Sequence, residues 1–278
     1  MGRVGDMPRL HLPGTIAEGL RSGVEAHVWL IDARESDLSR LTGWAAGLLG
    51  GDEQQRASAI VSGGVRRDHL AGRVALRLLL SAYCPGVPPR AWVLSRAPGG
   101  RPLVSAPRSG TLKVPSFSIS HSEGYLALSL YADGETGVDI EPVSRDVDAR
   151  GLARRYFSAA ELERLEALTG EALRAGFLRT WTLKEASVKA DGAGLAGELA
   201  RRAFGWTRAG RILTDSPDGR CWQYWSWRWR SEQMLALALR HPAGWSGRPV
   251  ICRPFTLSLS DGGTAEAVVT DGYESAVV

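Results

Sequence analysis

The chain has 278 residues, 44% of them hydrophobic, and its 34 Lys and Arg against 30 Asp and Glu leave a formal charge of +4. That composition supports a real core and excludes disorder for the bulk of the chain. The near balance of charges excludes a uniformly cationic, nucleic-acid-coating surface but allows a basic patch for an anionic ligand or an acidic partner.

Cys84, Cys221 and Cys252 are too few and too scattered for a disulfide framework or a zinc knuckle. No apolar run has the length of a signal-peptide core or a membrane span, so a soluble, cytoplasmic protein is expected.

In chain order, residues 1–24 are rich in Gly and Pro and are expected to be a flexible lead-in. Ala26 to Ile31 reads as the first strand. From Leu38 to Tyr83 the pattern is helical, with Asp52 as a cap for a helix carrying Arg56, and with Leu70, Val74, Leu76, Leu78 and Leu80 filling a second helix that stops at Cys84-Pro85-Gly86. Ala91 to Leu94 is a short strand. The Gly- and Pro-rich loop that follows has Arg96 and Arg101 at its ends, so it presents guanidinium groups and backbone N–H groups together.

Phe117 to His121 and Tyr125 to Leu130 are strands around a turn at Ser122-Glu123-Gly124, and a further strand runs from Gly137 to Glu141, which together suggest a meander. Ser158 with Glu161 forms a capping box that opens a helix reaching Leu168. A second helix spans Glu171 to about Ala190 and stops at Asp191-Gly192. Trp225, Trp227 and Trp229 alternate with polar residues as in a half-buried strand, Leu235 to Leu239 is its partner, and Pro254 to Leu259 is a last strand. The order strand, helices, strands repeats from about Gly137, so two similar α+β halves are expected.

Three groups of residues could carry chemistry. Trp181, Glu185, Val188 and Lys189 share one helix face, so Glu185 and Lys189 could act together on a phosphate. The same pair is also what a solvated helix face looks like, worth roughly 0.3–0.5 kcal/mol. Asp139 and Glu141 project from one side of a strand, either as a solvent-facing strand end or as part of an oxygen cage for a hard divalent cation that Glu185 would complete. His121, between Ser120 and Ser122, reads as a structural residue or as a phosphate contact. Several arginines of the first half, Arg56, Arg96 and Arg101 among them, could hold phosphates in bidentate fashion. A Walker-type loop and a GxGxxG turn are both missing, which disfavours ordinary nucleotide sites.

These elements, in this order, resemble the Sfp-type 4′-phosphopantetheinyl transferases. The resemblance is carried by Gly100-Arg101-Pro102, Ser118-Ile119-Ser120-His121-Ser122, Gly137-Val138-Asp139-Ile140-Glu141, Phe157-Ser158 with Glu161, and Trp181 through Lys189 followed by Gly192-Ala193-Gly194-Leu195. It covers roughly residues 26–240. The family often has Lys where Arg101 stands, which keeps the charge and alters the phosphate geometry.

The resemblance implies a pseudo-twofold α+β fold of two similar α/β halves. Its parts would be a flexible segment 1–24, a coenzyme A-binding half 25–136, a half 137–243 with the Mg²⁺ site and catalytic helix, and a C-terminal extension 244–278 without an assigned role. It implies transfer of the 4′-phosphopantetheine arm of coenzyme A to a serine of an acyl or peptidyl carrier protein, with release of adenosine 3′,5′-bisphosphate. The carrier would belong to fatty-acid, polyketide or nonribosomal-peptide synthesis, and the enzyme would be a monomer.

By position, Asp139, Glu141 and Glu185 resemble the Mg²⁺ ligands, and Glu185, Lys189 and Asp139 the catalytic group. Arg56, Arg96, Arg101, Ser120, His121, Lys184 and Lys189 resemble coenzyme A contacts, with Asp139 near the diphosphate. The competing expectations are a non-catalytic coenzyme A-binding regulator, a Mg²⁺-dependent coenzyme A hydrolase and, ranked last, a nucleic-acid-binding module.

Overall fold

The computed structural model describes residues 8–97, 101–106, 113–192, 199–207, 211–214, 221–259, 264–265 and 267–269. A short strand β1 (Arg9–Leu10) is followed by α1 (Gly14–Arg21), β2 (Glu25–Asp32), α2 (Leu38–Leu48), α3 (Gly51–Ser58) and the long helix α4 (Gly63–Tyr83). Four strands come next: β3 (Val93–Arg96), β4 (Pro102–Ser105), β5 (Ser116–Ser122) and β6 (Tyr125–Tyr131). Then come β7 (Glu135–Pro142), α5 (Ala149–Tyr156), α6 (Ala159–Glu166), α7 (Gly170–Asp191), β8 (Phe204–Trp206), β9 (Ile212–Thr214), β10 (Trp222–Trp229) and β11 (Gln233–Arg240). The chain closes with β12 (Ile251–Leu257), β13 (Thr264–Ala265) and β14 (Ala267–Val269). Among the described residues no helix is long and apolar enough to cross a membrane.

These elements divide into two compact units, one formed by the chain up to Ala97, Pro102–Ala132 and the stretch from Ile251, the other by Asp133–Val250 together with Arg101. In the first unit a five-stranded sheet has the order β14-β12-β2-β6-β5. Its core joins Trp29, Ile31, Leu128 and Leu130 of the sheet to Leu70, Val74, Leu78 and Leu79 of α4. Helix α4 forms where expected because Leu70, Val74 and Leu78 recur at four-residue steps and Ser62 caps its start through Val65 N–H. Asp52 is not the cap of α3: it lies in the first turn, and the helix starts after Gly50, where Glu53 reaches back to the Gly50 N–H.

In the second unit β10, β11 and β7 form an antiparallel sheet with α7 packed on it, and Leu183, Ala186 and Ala190 share a core with Tyr224, Ala236 and Ala238. Helix α6 opens with the expected capping box, and Gly192, at φ +75°, closes α7 in the left-handed conformation that glycine adopts readily.

Three expectations are corrected. Strands β5 and β6 pair as a hairpin, but β7 leaves them and pairs with β11, so there is no three-strand meander. The lead-in is not simply flexible, since Ala17 and Leu20 of α1 are buried in the first unit's core. In β10 the polar Gln223 and Ser226 are buried along with the tryptophans, so burial there does not alternate.

Strand β12 falls in the stretch expected as an extension, yet it pairs in parallel with β2, and Phe255 stacks on Trp29 with ring centroids 4.7 Å apart. Phe255→Ala should therefore destabilise the protein by about 3–5 kcal/mol, read by urea unfolding. A loss below about 1 kcal/mol would show β12 to be dispensable to this core.

Candidate active site

Along β7 the positions Gly137, Asp139 and Glu141 fall on one face. That face receives α7, because a Cβ added at Gly137 would stand 2.0 Å from the Ala186 carbonyl oxygen. Strand and helix therefore touch backbone to backbone, which brings Asp139, two residues further along, within reach of the helix. Lys189 Nζ donates to Asp139 Oδ1 at 2.7 Å and to the Val138 carbonyl at 3.1 Å. Asp139 is only 4% exposed, so this is a largely desolvated carboxylate held by an ammonium group.

Glu185 stands one helical turn before Lys189. Burial raises its pKa from 4.5 to about 7; the negative charge of Asp139 pushes the same way, Lys189 opposes it, Glu141 adds to it and Arg145 opposes it. The carboxyl group thus senses both β7 acids. Glu141 itself is ion-paired with Arg145.

Asp139, Glu141 and Glu185 offer the all-oxygen donor set that a hard divalent cation takes. They do not stand as a closed cage: among the described residues no group of three or more His, Cys, Asp or Glu is arranged to hold a metal ion. The like charges are balanced by Lys189 on Asp139 and by Arg145 on Glu141. The donor chemistry fits the cation, and two of the three acids are engaged by basic side chains.

The remaining candidates separate. Arg101 belongs to the second unit and is ion-paired with Glu135, with Arg240 close enough for its charge to be felt. Arg56, Arg96, Ser120 and His121 belong to the first unit. There the charges of Arg56 and Arg96 act on Arg73, and those of His121, Arg56 and Arg73 act on His69. His121 is exposed on β5 and Ser120 is buried. Residues 98–100, between Arg96 and Arg101, lie outside the described residues, as does the Ala193-Gly194-Leu195 part of the resemblance.

The family model of the 4′-phosphopantetheinyl transferase superfamily matches residues 135–239. This is the span from the start of β7 to the end of β11 that carries the acid cluster. The 4′-phosphopantetheinyl transferase HetI of Nostoc sp. is 35% identical over 176 residues, 62% of this chain and 70% of that protein.

The chain belongs to the 4′-phosphopantetheinyl transferase family.

The human L-aminoadipate-semialdehyde dehydrogenase-phosphopantetheinyl transferase is 26% identical over 245 residues, 82% of this chain and 76% of that one. A Bacillus anthracis holo-(acyl-carrier-protein) synthase in complex with CoA (3′,5′-ADP) aligns with 40% of this chain and 98% of its own at 15% identity and a TM-score of 0.35.

One expected contact of this transferase is corrected. Lys184 is not placed to meet a ligand: its ammonium group has no exposed surface and is ion-paired with Glu161 at 2.9 Å. Sequence reading missed Arg145, which pairs with Glu141 across a four-residue step that lies outside any helix, beyond the end of β7 at Pro142. It also missed His69, which stands one four-residue step before Arg73 on α4.

The raised Glu185 pKa sets a pH dependence. Between pH 4.5 and about 7 the folded state binds more protons at Glu185 than the unfolded chain does. That group therefore lowers stability as pH rises through this window. In divalent-free buffer Glu185→Gln should be more stable relative to the parent above pH 7 than near pH 4.5, read as melting temperatures. An equal difference at both pH values would contradict the raised pKa.

Proposed function

We propose that this transferase moves the 4′-phosphopantetheine arm of coenzyme A onto a serine hydroxyl of an acyl or peptidyl carrier protein, with Mg²⁺, releasing adenosine 3′,5′-bisphosphate as a cytoplasmic monomer. The observation that carries the reading is the meeting of Asp139, Glu141, Glu185 and Lys189 across β7 and α7, with Glu185 held at a pKa of about 7. Family membership supports the group transferred, and the acid cluster supports how it is moved.

Asp139, Glu141 and Glu185 are the residues that would hold Mg²⁺, which when bound would offset charge on the diphosphate. A serine hydroxyl is a poor nucleophile at neutral pH, and a carboxylate that titrates near neutrality is well matched to take its proton. Glu185 accepts that proton as the serine Oγ bonds to the β-phosphorus. The bond from that phosphorus to the bridging oxygen breaks, and the bisphosphate leaves with the oxygen. Lys189 neutralises or protonates the departing α-phosphate.

Arg56, Arg96, Arg101, Ser120 and His121 are assigned to coenzyme A on the resemblance. Arg101 would exchange its carboxylate partner, Glu135, for a phosphate. The net charge of +4 suits an acidic carrier.

Incubation with coenzyme A, Mg²⁺ and a small panel of apo carriers should add phosphopantetheine to at least one of them, read by mass spectrometry, with bisphosphate released only when a carrier is present. Release without a carrier would make the chain a coenzyme A hydrolase, and binding without any release a regulator. Glu185→Gln should lower the rate roughly a hundredfold or more with the fold preserved, and near-normal modification would remove Glu185 from the mechanism. Lys189→Ala should also lose turnover, because it removes the cation that holds Asp139.

A further inference from the structure

Glu161 and Lys184 form a buried ion pair, each 1% exposed. Glu161 does more than cap α6. Its Oε2 accepts from the Ser158 N–H at 2.7 Å and from Lys184 Nζ at 2.9 Å, and its Oε1 accepts from the Phe204 N–H at 2.7 Å. Lys184 Nζ also donates to the carbonyls of Leu199 at 2.8 Å and Arg202 at 2.6 Å. All three ammonium hydrogens are thus used, and the Phe157 ring closes one side with its centroid 5.4 Å from Nζ. Four pieces of chain, the start of α6, the middle of α7, the turn at Leu199–Arg201 and the start of β8, converge on two side chains.

The apolar face of α7, with Leu183, Ala186 and Ala190, resists separation from the sheet but sets no fine rotation of its own, since dispersion contacts are non-directional. The ion pair with its five hydrogen bonds is directional. A buried pair is weak evidence for stability, and fixing register is its better-attested use.

Lys184 immediately precedes Glu185. With side chains at roughly 6 Å from a helix axis, a rotation of roughly 10–20° would carry Glu185 and Lys189 sideways by roughly 1–2 Å. A displacement of that size can lower a rate by about a hundredfold.

We propose that Glu161 and Lys184 are positioning residues that set the rotation of α7 and so place Glu185 and Lys189 against Asp139, an inference that rests on the transfer reaction proposed above. The opposing account is that the Gly137 seat already fixes α7 and the pair only holds the fold together.

The test uses full-length Glu161→Gln and the double variant Glu161→Gln/Lys184→Met. Gln keeps the capping box, and removing both charges together leaves no lone buried ion. For each variant, circular dichroism and melting temperature report the fold, kcat and the KM for coenzyme A report transfer, and calorimetric titration of Mg²⁺ into the free protein reports the acid cluster without turnover. The double variant, folded, should lose roughly tenfold or more in kcat with KM for coenzyme A little changed, and should bind Mg²⁺ more weakly. Glu161→Gln should show the same split to a lesser degree, and it decides the matter if the double variant does not fold.

A folded variant with wild-type kcat and wild-type Mg²⁺ affinity would overturn the inference. If the unmodified protein modifies no carrier, the transfer reading fails, and the Mg²⁺ titration still decides the positioning role.

Discussion

A Cβ added at Gly137 would stand 2.0 Å from the Ala186 carbonyl oxygen and 2.5 Å from the Ala190 amide nitrogen. Any side chain at this position would push α7 away from β7. Because the separation of helix and strand is set there, so is the reach of every side chain that must cross between them. Asp139 follows Gly137 on the same strand face, and Lys189 closes the gap to it at 2.7 Å. A wider separation would leave Asp139 buried with its cation out of range, a state far less favourable than the paired one.

The electrostatics follow from that closeness. Asp139, Glu141 and Glu185 put three acids in a small, partly dry volume, and Lys189 and Arg145 supply two cations. Asp139 has its ammonium partner and Glu141 its guanidinium partner. Glu185 meets burial and like charge in excess of compensation, and its pKa rises to about 7. Burial and neighbouring charge together raise the proton affinity of Glu185, which is how a carboxyl group becomes suited to taking a proton at neutral pH.

Much of this was legible in the chain because it rests on short-range periodicity. The alternation of Val138 and Ile140 with Asp139 and Glu141 placed both acids on one strand face, and α7 runs from Gly170 to Asp191 where a helix from Glu171 to about Ala190 was expected. The Ser158–Glu161 box was visible as a local signal. What sequence did not show is long-range. The pairing of β7 with β11 rather than β6 depends on a partner roughly a hundred residues away. Strand β12 gains its place only from β2, more than two hundred residues earlier. Helix α1 has two buried positions in eight, too few to stand out beside its Gly and Pro neighbours. Arg145 lies beyond the end of β7 and outside any helix, so nothing local marked its four-residue step from Glu141 as a pair.

The two lysines of α7 show why such a helix cannot be read from residue type alone. Lys184 and Lys189 are five residues apart, about 140° around the axis, and each carries the same charge. Lys184 has no exposed side-chain surface and is saturated by Glu161 and two carbonyls, whereas Lys189 retains 29% exposure and holds Asp139. A lysine costs free energy to bury unless its hydrogens are all used, so its fate is set by acceptors on other elements. For Lys184 those acceptors come from α6 and the turn before β8, and for Lys189 from β7. Glu185 lies between them in sequence. Its position is therefore bounded on one side by a contact that has no chemistry of its own and on the other by the residue expected to act with it.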